Sequence, residues 1–240
     1  MINGIIILTG LYFILKNLKE KEQFDPNKVT KKYNNIKAAI IPHAGKKYAG
    51  DCRYNVFKNL DKNAKFIIYI SAMHNINKDM NSKAYVLHKD NGFGNTPDLP
   101  KINSDEHSFK WVEPELREYF PNAKIFVFSP LSNGDNDRKL INWIVDFMNN
   151  NNAILLGTTD LIHYGKKFNN INLLKYPQQL NKQKLEEEFI NVLIKNPISI
   201  NDVRRLTKTN YLMCGPYAIN LFMNVMSKMN LSGKVVDYYD

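Results

Sequence analysis

Cysteine is scarce in this chain: Cys52 and Cys214 are the only two in 240 residues. Two distant thiols build no disulfide framework and no CxxC is present, so a reducing compartment, the cytoplasm, is expected. Cys52 lies in "YAGDCRYNVFKNL" and reads as a core thiol near a helix start. Several chemistries lack their signatures. There is no GxSxG nucleophile elbow, no phosphate loop and no HExxH. Zinc-finger spacing and aromatic RNP patterns are missing too, so no nucleic-acid partner is expected. Acidic residues are in deficit: 33 Lys and Arg against 23 Asp and Glu leave a net charge of +10. The lysines are scattered rather than blocked, which fits a solvated surface better than a nucleic-acid or membrane interface. No internal repeat is visible.

The chain also lacks an apolar run of bilayer length. The uncharged opening "MINGIIILTGLYFIL" would span about 22 Å as a helix, against about 30 Å for a hydrocarbon core. It has neither a basic front end nor a small-residue cleavage site, so it makes a poor secretory signal. Residues 1–16 therefore read as a short membrane anchor, a buried first element or a targeting remnant. Residues 17–32 read as a polar linker, and residues 33–240 as one α/β domain.

What is present is alternation. Short apolar runs at 36–41, 65–71, 84–88 (an edge), 123–131 and 152–157 predict strands. Between them lie helical patterns. "SDEHSFKWVEPELREYF" should be a helix capped by Ser104 or Asp105 and bent or split at Pro114. "NDRKLINWIVDFMNN" is amphipathic, and the last third is mostly helical. From 215 to 229, Ala218, Leu221, Phe222, Val225 and Met229 fall on one face and predict a core stripe. "KVVDYYD" is expected to close the domain as a strand. The pattern predicts α/β architecture, with helices covering a mostly parallel or mixed sheet.

The chain has five histidines, and their placement is uneven. His43, His74 and His163 each follow an apolar strand, and Asp160 shares the loop of His163. In open α/β sheets the crevice lies outside the carboxyl ends of the strands. If the three strands are parallel neighbours, these side chains converge. A single loop histidine is ordinarily a turn or surface residue, and His88, in "LHKDNG", is read that way. Cys214 precedes Gly215 and Pro216, which places it at a helix N-terminus. There the helix dipole favours a thiolate, a metal-binding form, and the rival reading is a small buried hydrophobe. Two imidazoles and a thiolate suit copper, iron or zinc rather than magnesium or calcium. His163, oriented by Asp160, would act as general acid or base.

The segments "IPHAGKKYAG", "SAMHN", "DEHSF", "TTDLIHYGKKF" and "CGPYAINLF" occur in this order. In order and spacing they resemble the Memo family, the AmmeMemoRadiSam system protein B group, over residues 33 to about 238. The resemblance implies a single α/β domain similar to the catalytic subunit of class III extradiol ring-cleaving dioxygenases. It implies one mononuclear metal site, copper or iron, held by His43, His74 and Cys214. Asp160 and His163 would line the same pocket, and Glu106 and His107 would shape its wall. The implied activity is metal-dependent redox chemistry on a small-molecule or peptide ligand. The alternative is a non-enzymatic module that binds a phosphopeptide or acidic ligand in a vestigial pocket. Ring cleavage fits less well, because those oxygenases place two histidines and a carboxylate on iron. The chain departs from the family pattern at Asn75, where a second histidine is usual, and at Lys46 and Lys47, where aromatic or small polar residues are usual. The apolar opening also replaces the family's N-terminal segment.

Overall fold

Five apolar segments form one mixed sheet. They are β1 (Ala38–Ile41), β2 (Phe66–Ile70), β3 (Tyr85–Lys89), β4 (Lys124–Ser129) and β5 (Ala153–Thr158). Their order across the sheet is β1-β5-β2-β4-β3. The first four in that order run parallel, and β3 closes one edge antiparallel to β4. The computed structural model describes residues 33, 36–74, 80, 84–103, 105–131, 137–161, 189–194, 199–207, 213–233, 236 and 237. The readings placed on residues 1–16 and 17–32 lie outside them, as does His163. Among the described residues no helix is long and apolar enough to cross a membrane.

Successive side chains of a strand point to opposite faces. Here both faces are covered, so the strands read as continuous apolar runs rather than alternating ones. The helices are α1 (Lys46–Phe57), α2 (His107–Lys110), α3 (Glu113–Tyr119), α4 (Arg138–Asn150), α5 (Ile200–Thr207) and α6 (Pro216–Lys228). On one face Ile40, Ile70 and Phe128 pack with Ile144 of α4 and Leu221 and Phe222 of α6. On the other, Ile41, Ile67 and Val127 pack with Val56 and Phe57 of α1 and Leu116 of α3. The expected stripe on α6 is core: Ala218, Leu221, Phe222 and Val225 are buried, with Met229 packed partly against them. Cys52 is buried in mid-helix, as a core thiol.

Three local expectations change. The segment after Asp105 is capped by Glu106, whose carboxylate accepts the Ser108 N–H at 3.2 Å. Ser104 lies outside the described residues. The helix is then split, and Pro114 sits in the first turn of α3, where a missing N–H is no loss. His88 is not a lone surface group. It pairs with Asp90 at 2.9 Å, and Asp90 also receives Arg117 Nη1 and the Ile125 N–H at 2.9 Å each, pinning the edge strand. Of the expected closing strand, Val236 and Asp237 are described and neither is in a strand. Asp237 instead accepts from Asn55 Nδ2 of α1 at 2.8 Å.

The strand order places the carboxyl end of β5 between those of β1 and β2. The chain leaves β1 and β2 over one face and reaches β5 over the other, through α4. That reversal opens a crevice at the strand ends. Close packing of α6 on β5 depends on Gly157: a Cβ there would lie 2.8 Å from Phe222 Cδ2 and 3.2 Å from its Cβ. We expect Gly157→Ala to lower unfolding free energy by about 1–3 kcal/mol through overpacking. Urea denaturation at constant m-value checks this, and an unchanged midpoint would mean that α6 is less tightly seated.

Candidate metal centre

The crevice is built from three turns. After β1 the chain breaks at Pro42 and presents His43, which is 1% exposed. After β2 it runs through Ser71–Met73 to His74. After β5 it passes Thr159 to Asp160. A fourth piece, Cys214–Gly215, enters ahead of α6 and docks on the β5 turn. The Cys214 N–H donates to the Asp160 carbonyl at 3.1 Å and the Gly215 N–H to Thr159 Oγ1 at 3.2 Å. Gly215 is required by this approach, since a Cβ there would sit 2.6 Å from the Thr158 carbonyl oxygen.

His43 is the hub. The Thr158 hydroxyl donates to the Ile41 carbonyl at 3.0 Å, so its oxygen is left to accept the His43 Nδ1–H at 2.9 Å. This assigns the tautomer: Nδ1 carries the proton and Nε2 carries the lone pair. That nitrogen lies 3.0 Å from Cys214 Sγ and 3.6 Å from Asp160 Oδ2. Asp160 Oδ1 is committed to the turn itself, accepting the His43 N–H at 2.8 Å and the Ala44 N–H at 3.2 Å. The Asp160 N–H donates to Cys214 Sγ at 3.2 Å. Asp160 therefore orients the His43 turn and Cys214, while its expected partner His163 lies outside the described residues.

His74 is held by Glu106. Its backbone N–H donates to Oε2 and its Nδ1 meets Oε1, both at 2.7 Å. The carboxylate makes Nδ1–H of His74 the donor and turns Nε2 away from Glu106. Carboxylate partners of this kind orient metal-binding imidazoles and raise their basicity. The His107 ring lies tilted by 31° against that of His74 with centroids 4.0 Å apart, and its Nδ1 is 3.5 Å from Glu106 Oε1. Ser108 fastens the whole segment to the end of β2 through the Ala72 carbonyl at 2.8 Å. "DEHSF" thus works as one unit, carrying the orienting carboxylate, a second ring and an anchor.

Burial decides the protonation states. It pushes His43 down to about 4, with neighbouring His74 and His107 lowering it further and Asp160 only partly opposing. Burial, reinforced by the charge of Asp160, pushes the Cys214 thiol well up. The pair is therefore a neutral thiol donating to a neutral imidazole, not a thiolate–imidazolium nucleophile. The lowered thiol expected from the helix N-terminus is overturned: Cys214 stands one residue before the Gly215 cap, and burial outweighs the dipole. Burial alone would raise Glu106, but hydrogen bonds from the His74 ring, the His74 N–H and the Ser108 N–H hold it at about 2.

Two overlapping groups have ligand atoms that all lie within 4.8 Å of one another: His43 with His74 and His107, and His43 with Asp160 and Cys214. Neither contains both His74 and Cys214. The donor chemistry fits a transition metal. Imidazole nitrogens are ready ligands, and a thiol that keeps its proton in the absence of a cation can lose it to one.

The expectations missed Thr158 as the tautomer lock and Arg53 as the clamp. Arg53 is fully buried in α1. Its Nη1 donates to the carbonyls of Ala44 at 2.7 Å and Pro42 at 3.3 Å, on either side of His43. Its Nε and Nη2 form a fork on Glu115 at 2.8 and 2.6 Å. A charged residue on the apolar side of α1, among Ala49, Cys52 and Val56, was the available signal.

An α/β sheet with a histidine-rich crevice at its switch point defines the class, an α/β fold with a candidate metal site at its strand ends. Residues 86–240 match the family model described as Memo-like protein, and the chain belongs to that family. The match takes in Glu106, His107, Asp160 and Cys214, whereas His43 and His74 precede it. No curated protein matches the chain.

These shifts give a signed pH dependence. Between 6.5 and about 4 the unfolded chain takes a proton at His43 that the folded chain refuses, so stability falls as pH drops through that window. Glu106, with its ordinary 4.5 lowered to about 2, extends the loss below 4.5. Asp137, raised by burial to about 6, works the other way, because its contribution is lost as pH rises from 3.8 through 6. In metal-stripped protein the parent should lose about 3 kcal/mol more than His43→Gln between pH 7 and 4. Denaturant titrations of both proteins read the difference, and parallel pH profiles would mean that His43 is not buried neutral.

Proposed function

We propose that this Memo-like protein holds one transition-metal ion, copper or iron, and performs metal-dependent redox chemistry on a small-molecule or peptide ligand. The observation that carries this reading is the buried His43 imidazole, on which two groups of ligand-type side chains converge, His74 with His107 and Asp160 with Cys214. The bound ion would be held by His43, His74 and Cys214, and it would supply electron transfer at the crevice. The chain's own residues do the rest. Thr158 and Glu106 hold the two rings through their Nδ1 atoms. Cys214 gives up its proton as the ion enters. Asp160 Oδ2, beside His43, carries negative charge at the mouth, and His163 moves a proton to or from the ligand.

A second reading has its own support. Lys46 and Lys47 are exposed on the first turn of α1, beside the site, with Tyr48 64% exposed. A non-enzymatic module that binds a phosphopeptide or acidic ligand would use that charge.

Metal analysis of the chain, purified without a metal-binding tag, separates the two. We expect close to one copper or iron per chain in the parent, and loss of tight binding in His43→Ala and Cys214→Ser with the fold retained. Equal metal content in parent and both variants would favour the binding module. We also propose a cytoplasmic location in which residues 1–16 form a tether to a membrane. A chain starting at Lys31 should then leave the membrane fraction and stay folded, whereas an insoluble product would make 1–16 part of the core.

A further inference from the structure

Two groups of ligand-type side chains share His43. The site read above draws one residue from each side, yet the geometry collects the donors differently. On one side stand His74 and His107, on the other Asp160 and Cys214. We propose that His107 is a metal ligand, completing with His43 and His74 a three-imidazole site for a divalent cation of the zinc type. The inference rests on the proposed metal role of His43.

The first support is orientation. One carboxylate, Glu106, 2% exposed, faces Nδ1 of both rings, at 2.7 Å for His74 and 3.5 Å for His107. Two rings that turn Nδ1 toward the same oxygen turn their Nε2 edges away from it together. His43, fixed from its own side by Thr158, brings a ring nitrogen within 4.8 Å of one from each of the other two. All three donors can therefore be imidazole nitrogens of one tautomer.

The second support is spacing. Three imidazoles bound to one ion through nitrogens at 2.0–2.1 Å have ring centroids about 5 Å apart. The His43–His74 and His43–His107 centroids are 5.0 and 5.8 Å apart. The third pair, at 4.0 Å, must open by about 1 Å. The side chains that have to open are the two with room, 24% exposed for His74 and 32% for His107, while His43 stays anchored at 1%.

The third support is exclusivity. His43 has one lone pair, on Nε2, so the imidazole set and the thiolate set cannot each hold an ion through it at once. Softness then sorts the ions: thiolate favours Cu(I), and imidazole suits zinc-type divalent ions. The three-imidazole set also leaves a coordination position open toward solvent, as catalytic zinc sites do.

The test uses the full chain, metal-stripped and kept air-free, titrated with Zn(II), Co(II) and Cu(I) against competing chelators. The proteins are the parent, His107→Ala, His107→Gln, Cys214→Ser and His43→Ala. We expect both His107 variants to weaken Zn(II) by at least about 100-fold, more than the 10- to 100-fold typical of an orienting neighbour. Cu(I) affinity should stay within about threefold. Cys214→Ser should do the reverse. Co(II) on the parent should lack thiolate-to-metal charge-transfer absorption in the near ultraviolet, a readout that needs no variant to fold. Zn(II) binding unchanged in the His107 variants, or a thiolate band on the Co(II) parent, overturns the proposal. A parent that binds with the affinity of His43→Ala overturns the metal reading itself, which is a separate outcome.

Discussion

The site depends on one hydrogen bond, from His43 Nδ1–H to the hydroxyl oxygen of Thr158. The hydroxyl's own proton is spent on the Ile41 carbonyl, the last residue of β1. The parallel pairing of β1 with β5, in which Ile41 stands beside Thr158, creates that triangle. A sheet register thus becomes a chemical state: which imidazole nitrogen bears the proton, and which is left as a donor. Burial strengthens the outcome by disfavouring the imidazolium.

Around this bond the structure gathers several of its buried polar groups. Arg53 holds the carbonyls on both sides of His43, and Glu115 neutralises Arg53 with a two-point fork. Asp160 takes the N–H groups of the same turn. A buried ion pair of this sort is weak evidence of net stability, because desolvation offsets much of the attraction. Its effect here is positional. Pro42, His43 and Ala44 form no part of a regular element, yet their backbone polar groups are engaged from α1 and from the β5 turn. The opposite arrangement holds at His74 and His107, whose side chains keep contact with solvent and hang on a single carboxylate.

The layers and the site's location were legible in the sequence because both follow from local patterns. Runs such as "AAII", "FIIYI" and "AILLG" can be little other than strands buried on both faces, and a histidine after a strand falls at the crevice if the strands are parallel. The chain order of the motifs carried His43, His74, Asp160 and Cys214 to one end of the sheet. What stayed hidden depended on pairing. Thr158 matters because β5 lies next to β1, and nothing local in "GTTD" says so. Arg53 and Glu115 are 62 residues apart, and each alone looks like a surface charge on a helix. The thiol of Cys214 was misjudged in protonation because a helix N-terminus is visible in a sequence, whereas the enclosure that outweighs it is tertiary. The cap at Glu106 was missed for a related reason: its carboxylate serves His74 as well as Ser108.

The central claim is that His43 is a neutral imidazole with its proton on Nδ1. Nitrogen-15 NMR of the metal-stripped chain, labelled at histidine, tests it most directly. The account predicts one buried ring with an Nδ1–H coupled to its neighbours and an Nε2 of pyridine type, persisting as pH falls until about 4. A His43 ring protonated at Nε2, or one already an imidazolium at pH 6, would contradict it.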